Sequence, residues 1–269
     1  FDLDHTVINS DGTMSDATRT VIEQAIAEGI EIVPVSGRAF ATFPESIGQI
    51  KGISYAVTSN GAAIYNKKTG ERIHGVAIEY ADLHSILDAF AHYFHNGQIT
   101  YEAFVDGVAY GGREYVEHPE AFGVPERNVA YVQSTRKPVD DIIAFLSEHE
   151  EELDSLDIVA ADTALYRKIE EQIPLVTKSV YTTSAVSYRL EISHKNSGKA
   201  TGLAYVLKLL DITPEETVAF GDGDNDAEML EFAGLGVAME NATENCKAAA
   251  DIVCDCCKND GVARFLYGF

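Results

Sequence analysis

The chain has 269 residues, 43 Asp and Glu against 20 Lys and Arg, and a net charge of −23. Hydrophobic residues make up 46% and charged residues 23%, the composition of a folded globular protein rather than a disordered one. The acidity and the lack of any basic run of five or more argue against a nucleic-acid binder, and no apolar stretch approaches the roughly 18 residues of a membrane span.

At roughly 150 residues per domain, the length fits one large domain or two smaller ones. The opening FDLDHTVINS lacks the basic and apolar regions of a secretory leader, and the start at Phe1 rather than Met leaves room for residues upstream. Three of the four cysteines, Cys254, Cys256 and Cys257, lie within four residues. That is poor spacing for a disulfide framework, so a reducing, cytoplasmic setting is expected.

In chain order, Ser15 to Glu28 reads as a helix capped by Ser15 or Asp16, with Val21, Ile22, Ala25 and Ile26 on one face. Ile30 to Val35 reads as a buried strand, followed by Ser36-Gly37-Arg38 and a helical stretch. Tyr55 to Thr58 reads as another strand, and Asn60-Gly61 as a turn. This rhythm predicts a parallel sheet. The pattern then changes. Tyr80 to His95 is an amphipathic helix, and Asp106-Gly107 is a hairpin turn between YEAFV and VAYGG. Val139 to Leu153 reads as helix, Leu156 to Ala160 as strand, Thr163 to Gln172 as helix and Thr177 to Thr182 as strand. From Ser197 the first rhythm returns: a helix to Leu210, strand Val218 to Phe220, helix Ala227 to Gly234, strand Leu235 to Met239, helix Asn241 to Ala250, then Asp251-Ile-Val-Cys. The expected fold is α/β, with a Rossmann-like parallel-sheet core over 1–77 and 185–269 and an inserted α+β domain over 78–184.

Four polar clusters follow apolar runs, where ligands gather at the strand ends of α/β sheets. Asp2 and Asp4, two apart on a strand, share a face and would repel unless a cation or proton separates them. One Mg²⁺ would do so, with one carboxylate free to attack an electrophile and the other to move protons. Ser36 and Gly37 offer a hydroxyl and unhindered N–H groups to a phosphate. Lys199, at a helix start, opposes the helix dipole unless an anion is bound. Its NSGKATGL segment is not a Walker A loop, which needs Gly at Ser193 and Ser or Thr at Ala200. Gly221-Asp-Gly-Asp-Asn-Asp226 concentrates acids at a helix start, as a hard-cation site does; Ala227 and Ala233 stand where an EF-hand needs Gly and Glu. Each cluster alone also reads as helix-capping residues or solvated side chains. Together they are the parts of a phosphoryl-transfer site.

The motifs FDLDHTV, PVSGR, SNGA, SGKATGL, AFGDGDNDAEML, GVAMENA and NDGVA run from Phe1 to Ala263. In order and context they resemble the haloacid dehalogenase superfamily, specifically Cof-like sugar phosphatases with a C2-type cap. The resemblance implies Asp2 as nucleophile and Mg²⁺ ligand. Asp4 would be the general acid/base, with its carbonyl on the metal, and Leu3 would give its N–H to the phosphate. Ser36 and Gly37 would bind the phosphoryl oxygens and Lys199 would bridge Asp2 and the phosphate. Asp222 would hold Mg²⁺, Asn225 would assist at the phosphate, and Asp226 would orient the metal or its waters. It implies hydrolysis of small phosphate esters, sugar phosphates foremost, under a closing cap, without nucleic-acid or membrane partners. A phosphomutase of the same superfamily, or a silent metabolite-binding protein, are the alternatives. The family usually has Gly where His5 stands.

Other signals are weaker. Cys254, Cys256 and Cys257 lack zinc-ligand spacing and read as strand-end residues. Asn241-Ala-Thr243 matches a glycosylation pattern that a cytoplasmic chain would not use. Tyr101, Phe104 and Tyr110 read as one packed hairpin face. Arg113 and His118 are candidates for substrate contact.

Overall fold

In a computed structural model, residues 1–267 are described; the last two residues of the expected 185–269 core segment lie outside them. The chain divides into two compact units, Phe1–Arg38 with Phe43–His74 and Gly198–Phe269, and Ala39–Thr42 with Gly75–Ser197.

The first unit begins with helix α1 (Asp16–Ala27), whose N–H groups are capped by the Ser15 hydroxyl through Thr18. The expected strand over Ile30 to Val35 is not a regular one. Pro34 has no N–H to give a ladder, and a parallel bridge joins Val35 to Val57. The helical stretch after Arg38 is reduced to a 3₁₀ turn, Phe40–Thr42, which belongs to the second unit, and the single turn α2 (Glu45–Gly48). Strand β1 (Tyr55–Thr58) pairs antiparallel with β2 (Ala63–Asn66) across the Asn60-Gly61 turn, and β3 (Arg72–Gly75) completes a three-stranded sheet.

The second unit carries α3 (Tyr80–His95), β4 (Ile99–Val105), β5 (Val108–Gly112), α4 (Arg113–Glu117), α5 (Glu126–Thr135), β6 (Arg136–Val139), α6 (Ile142–Glu148), β7 (Leu153–Ala160), α7 (Thr163–Val176), β8 (Val180–Val186) and β9 (Arg189–His194). Its six strands lie in the order β6-β5-β4-β7-β9-β8, antiparallel except for β5 with β6. The expected helix over Val139 to Leu153 is shortened at both ends by strands. Helix α7 runs past Gln172 to Val176 and includes Pro174, which gives up one backbone hydrogen bond in the last turn. Strand β9 pairs with β7 and β8, so this unit extends to Ser197 rather than ending near residue 184.

One face of that sheet packs Tyr101, Leu156, Ile158, Leu190 and Ile192 on Ile86, Phe90, Leu146 and Ile169 from α3, α6 and α7. Tyr101 and the partly buried Tyr110 belong to this face, but Phe104, an odd number of residues from Tyr101, points the other way, to Ala39 and Ala109. That second face is ionic. Arg136 meets the fully buried Glu102 through two hydrogen bonds of 2.8 and 2.9 Å, and Arg189 pairs with Asp157 and Glu191. Arg113 binds Asp140 on the surface, and His118 lies by Glu120.

The first unit resumes with α8 (Lys199–Leu210), β10 (Val218–Gly221), α9 (Ala227–Phe232), β11 (Leu235–Met239), α10 (Glu244–Ala249), β12 (Ile252–Cys254) and α11 (Gly261–Tyr267). Strands β10, β11 and β12 are parallel. Their alternation buries both faces: Ala219 and Ala238 against α8, α9 and α10, and Phe220, Val237 and Met239 against α1, α2 and α11. All four cysteines are free; Cys246 lies on α10, and Cys254 ends β12. Among the described residues, no helix is long and apolar enough to cross a membrane.

Removing one partner of a buried ion pair strands the other charge, at a cost of about 3–5 kcal/mol. Arg136→Met is therefore expected to lower stability by that amount in urea titration, and adding Glu102→Leu to recover much of the loss.

Candidate active site

The expected strand carrying Asp2 and Asp4 is not a regular one: the chain turns at Leu3, and Asp4 makes only an isolated bridge to Ile8. The Asp2 N–H donates to the Phe220 carbonyl (2.9 Å) and the Val35 N–H to the Phe1 carbonyl (2.9 Å), so Asp2 is set between β10 and the Val35 segment. Leu3 is fully buried, and its carbonyl accepts the N–H groups of Thr6, Val7 and Ile8 (3.3, 3.1 and 2.8 Å), which turns the chain sharply. His5 takes up that turn at φ 62°, a left-handed conformation that costs an L-residue roughly 1–2 kcal/mol. This is why glycine suits the position.

Lys199 reaches the same place from the start of α8. The Gly198 N–H donates to the Asn60 carbonyl (2.8 Å), and Gly61, at φ 86°, lies so close that a Cβ on it would come within 2.0 Å of the Gly198 oxygen. The Asn60-Gly61 turn thus seats the lysine. Its ammonium donates to Asp2 Oδ1 (2.7 Å) and Asp226 Oδ1 (2.6 Å), across a sequence separation of 197 residues in the first case. Burial would lower the ammonium's pKa, but the two carboxylates outweigh it and raise it, so Lys199 stays charged.

The acidic loop folds on itself. Asp226, fully buried, takes the Asp222 and Gly223 N–H groups on Oδ2 (3.0 and 2.9 Å). Gly221 is required beneath it, because a Cβ there would stand 2.4 Å from the Asp226 side chain. Asp222 accepts the Thr6 hydroxyl on Oδ1 (3.0 Å). Burial first, and then the Asp226 charge, push its carboxyl up to about 7. Burial likewise raises Asp2 well above the carboxylate range, with the neighbouring acids adding to it and Lys199 opposing.

Asp2, Asp222 and Asp226 offer oxygens within 4.8 Å of one another. Three crowded carboxylates with one ammonium, all oxygen donors, fit a hard divalent cation such as Mg²⁺. Asp226 is held tightly on both oxygens, Oδ1 by Lys199 and Oδ2 by two loop N–H groups, whereas Asp222 has Thr6 on Oδ1 and Asn241 at 3.5 Å from Oδ2, so Asp2 and Asp222 could turn an oxygen to an ion more readily than Asp226. Asp4 lies outside this group. Its half-exposed carboxylate is gripped by Arg38 through Nε and Nη2, both at 2.7 Å. Burial would raise its pKa, but the guanidinium holds it below the usual range.

Ser36 is buried, its hydroxyl accepting the Arg38 N–H (3.2 Å), and Gly37 abuts the Asn60 side chain. Asn60 Oδ1 accepts from Asn225 Nδ2 (2.9 Å), so the SGR, SNG and DND segments meet. Thr6, Arg38 as a partner of Asp4, and Asn60 were not among the expected site residues. Thr6 stood inside FDLDHTV, whose other residues drew the expectation. Arg38 and Asn60 stood inside motifs that pointed to their neighbours.

A family model described as haloacid dehalogenase-like hydrolase matches residues 1–266. Phosphatase YwpJ of Bacillus subtilis is 31% identical, with 99% of this chain and 97% of that protein covered. The 5-amino-6-(5-phospho-D-ribitylamino)uracil phosphatase YitU of the same organism is 27% identical over 99% of this chain and 94% of its own. A solved haloacid dehalogenase-like hydrolase from B. subtilis superposes with a TM-score of 0.81 at 28% identity, covering 99% of this chain and 97% of its own.

Two outcomes follow from the turn and the acidic loop. His5→Gly relieves the left-handed strain and should raise stability by up to about 1 kcal/mol in denaturant titration. A carboxyl whose pKa is raised on folding holds its proton better in the folded state, so it costs stability above about pH 7 and not below the unfolded range near 4. In EDTA, Asp222→Asn should therefore raise Tm at pH 8, by about 2–4 °C per kcal/mol recovered, and leave it unchanged at pH 3.5.

Proposed function

The chain belongs to the haloacid dehalogenase-like hydrolases, and on that premise we propose that it is a Mg²⁺-dependent phosphatase of small phosphorylated metabolites, sugar and polyol phosphates foremost. The observation that carries the reading is the buried Asp2 carboxylate, one oxygen held by Lys199 at 2.7 Å with Asp222 and Asp226 alongside. A side chain so placed is oriented and shielded from water, as a nucleophile needs to be. The ribityl phosphate in the name of one relative fits the same substrate class.

Asp2 attacks the phosphorus and the ester P–O bond breaks. The leaving oxygen takes a proton from Asp4, and an aspartyl phosphate remains. Water then gives a proton to Asp4 and attacks the phosphorus, releasing inorganic phosphate and restoring Asp2. Asp2 and Asp222 would hold Mg²⁺, which supplies charge neutralisation at the phosphoryl group when bound. Lys199 adds its fixed positive charge, and Ser36, Gly37 and Asn225 take the remaining phosphoryl oxygens. The Arg38 fork favours an ionised Asp4, which suits the second step; for the first, Asp4 carries a proton taken up from solvent or kept from the water of the preceding turnover.

The test is phosphate release from an aryl phosphate and a panel of sugar and polyol phosphates, with Mg²⁺ or with EDTA. Release is expected with Mg²⁺ only, and Asp2→Asn should lower turnover roughly 10⁴-fold or more while remaining folded. A fully active Asp2→Asn protein would sink the mechanism, and an isomerised sugar phosphate in place of inorganic phosphate would make the protein a mutase.

A further inference from the structure

Asn241, which lies in the GVAMENA motif, and Thr243, two residues on in a glycosylation pattern, follow β11 and stand beside the acidic loop. We propose that Asn241 is a positioning residue of the reaction, clamping the turn after Asp4 to the acidic loop, with Thr243 holding that loop from a second point. The inference rests on the reading of Asp2 and Asp222 as metal ligands.

The Asn241 amide is oriented by its own oxygen. Oδ1 accepts the Cys257 N–H (3.1 Å), so Nδ2 faces the opposite way. Nδ2 donates to the His5 carbonyl (3.0 Å) and lies 3.5 Å from Asp222 Oδ2. The other Asp222 oxygen takes the Thr6 hydroxyl (3.0 Å), from the residue next to His5. Asp222 is therefore tied to the turn after Asp4 twice, directly through Thr6 and by way of Asn241. Thr243 completes the clamp. Its N–H donates to the Asp222 carbonyl (2.9 Å) and its hydroxyl to Asp224 Oδ1 (2.5 Å), while the same hydroxyl oxygen caps α10 by accepting the Cys246 N–H (3.2 Å).

A neutral amide suits this place. It satisfies a carbonyl and a carboxylate with one NH₂ and adds no charge to a site already crowded with acids. A carboxylate at 241 would have the same shape but would face two acceptors with a third. Groups that orient a metal's carboxylate ligands typically matter by 10- to 100-fold in metal affinity or activity. The Asn241 side chain is exposed, so its loss leaves the core packing intact.

The experiment uses the full chain. Calorimetric titration of the metal-free protein with Mg²⁺ gives Kd, and aryl phosphate hydrolysis gives kcat and KM separately. Asn241→Ala is expected to raise the Mg²⁺ Kd roughly 10-fold or more and to lower kcat by a similar factor, with KM and the Tm in EDTA little changed. Asn241→Asp should also lower kcat, although its added negative charge alone would tighten Mg²⁺ binding. Thr243→Val should follow Asn241→Ala in Kd and kcat while also lowering the Tm through the lost α10 cap, and Thr243→Ser, which keeps the hydroxyl, should match the wild type. A wild type that binds Mg²⁺ together with an Asn241→Ala protein whose Kd and kcat stay within twofold overturns this inference alone. A wild type that binds no Mg²⁺ overturns the metal reading and this inference with it.

Discussion

One ammonium shared by two buried carboxylates governs the first unit. Lys199 sits between Asp2 and Asp226, and Asp222 adds a third acid within 4.8 Å. Like charges at that separation repel by on the order of 3 kcal/mol per pair, even at an effective dielectric of about 20. The arrangement persists because each acid is held by something rigid: Asp226 by two loop N–H groups, Asp222 by Thr6, Asp2 by its place beside β10. A site organised in this way stores an appetite for positive charge, and the upward push on the Asp2 and Asp222 carboxyls is the same fact seen from the proton's side.

Close backbone approaches supply the rigidity. Gly61 against Gly198, and Gly221 against Asp226, leave no room for a Cβ. The helix that begins with Lys199 is consequently registered to the Asn60 turn, and the acidic loop to its own last residue. The sheet beneath is covered on both faces by helices, so its strand ends are the place where polar groups can collect without being smothered.

Much of this was legible in the sequence. Parallel strands in Val218 to Met239 announced themselves as short apolar runs between helices, and the four polar clusters stood where those runs end. Asp2, Lys199, Asp222 and Asp226 come together as their motifs implied. What was hidden depended on contacts rather than patterns. Nothing local marks Thr6 as the partner of Asp222, or Asn60 as the partner of Asn225. Asp4 could be placed near Asp2 by its spacing, but its capture by Arg38 is a matter of side-chain reach over 34 residues. In the second unit, Arg189, Glu191 and Ser193 of β9 do alternate with Leu190 and Ile192, but nothing local shows that the charges on that face find their partners inside the sheet rather than in water.

The Asp2–Lys199 contact spans 197 residues, and the whole second unit is threaded between its two ends. A ribosome adding about 5–20 residues per second delivers the lysine about 10–40 s after the aspartate. Throughout that interval the opening segment has neither its counter-ion nor β10 to lie against, while Gly75 to Ser197 holds a complete sheet of its own. The order of birth is thus the reverse of the order of the chain: the inserted unit can fold while it emerges, and the opening residues, made first, wait to be enclosed last.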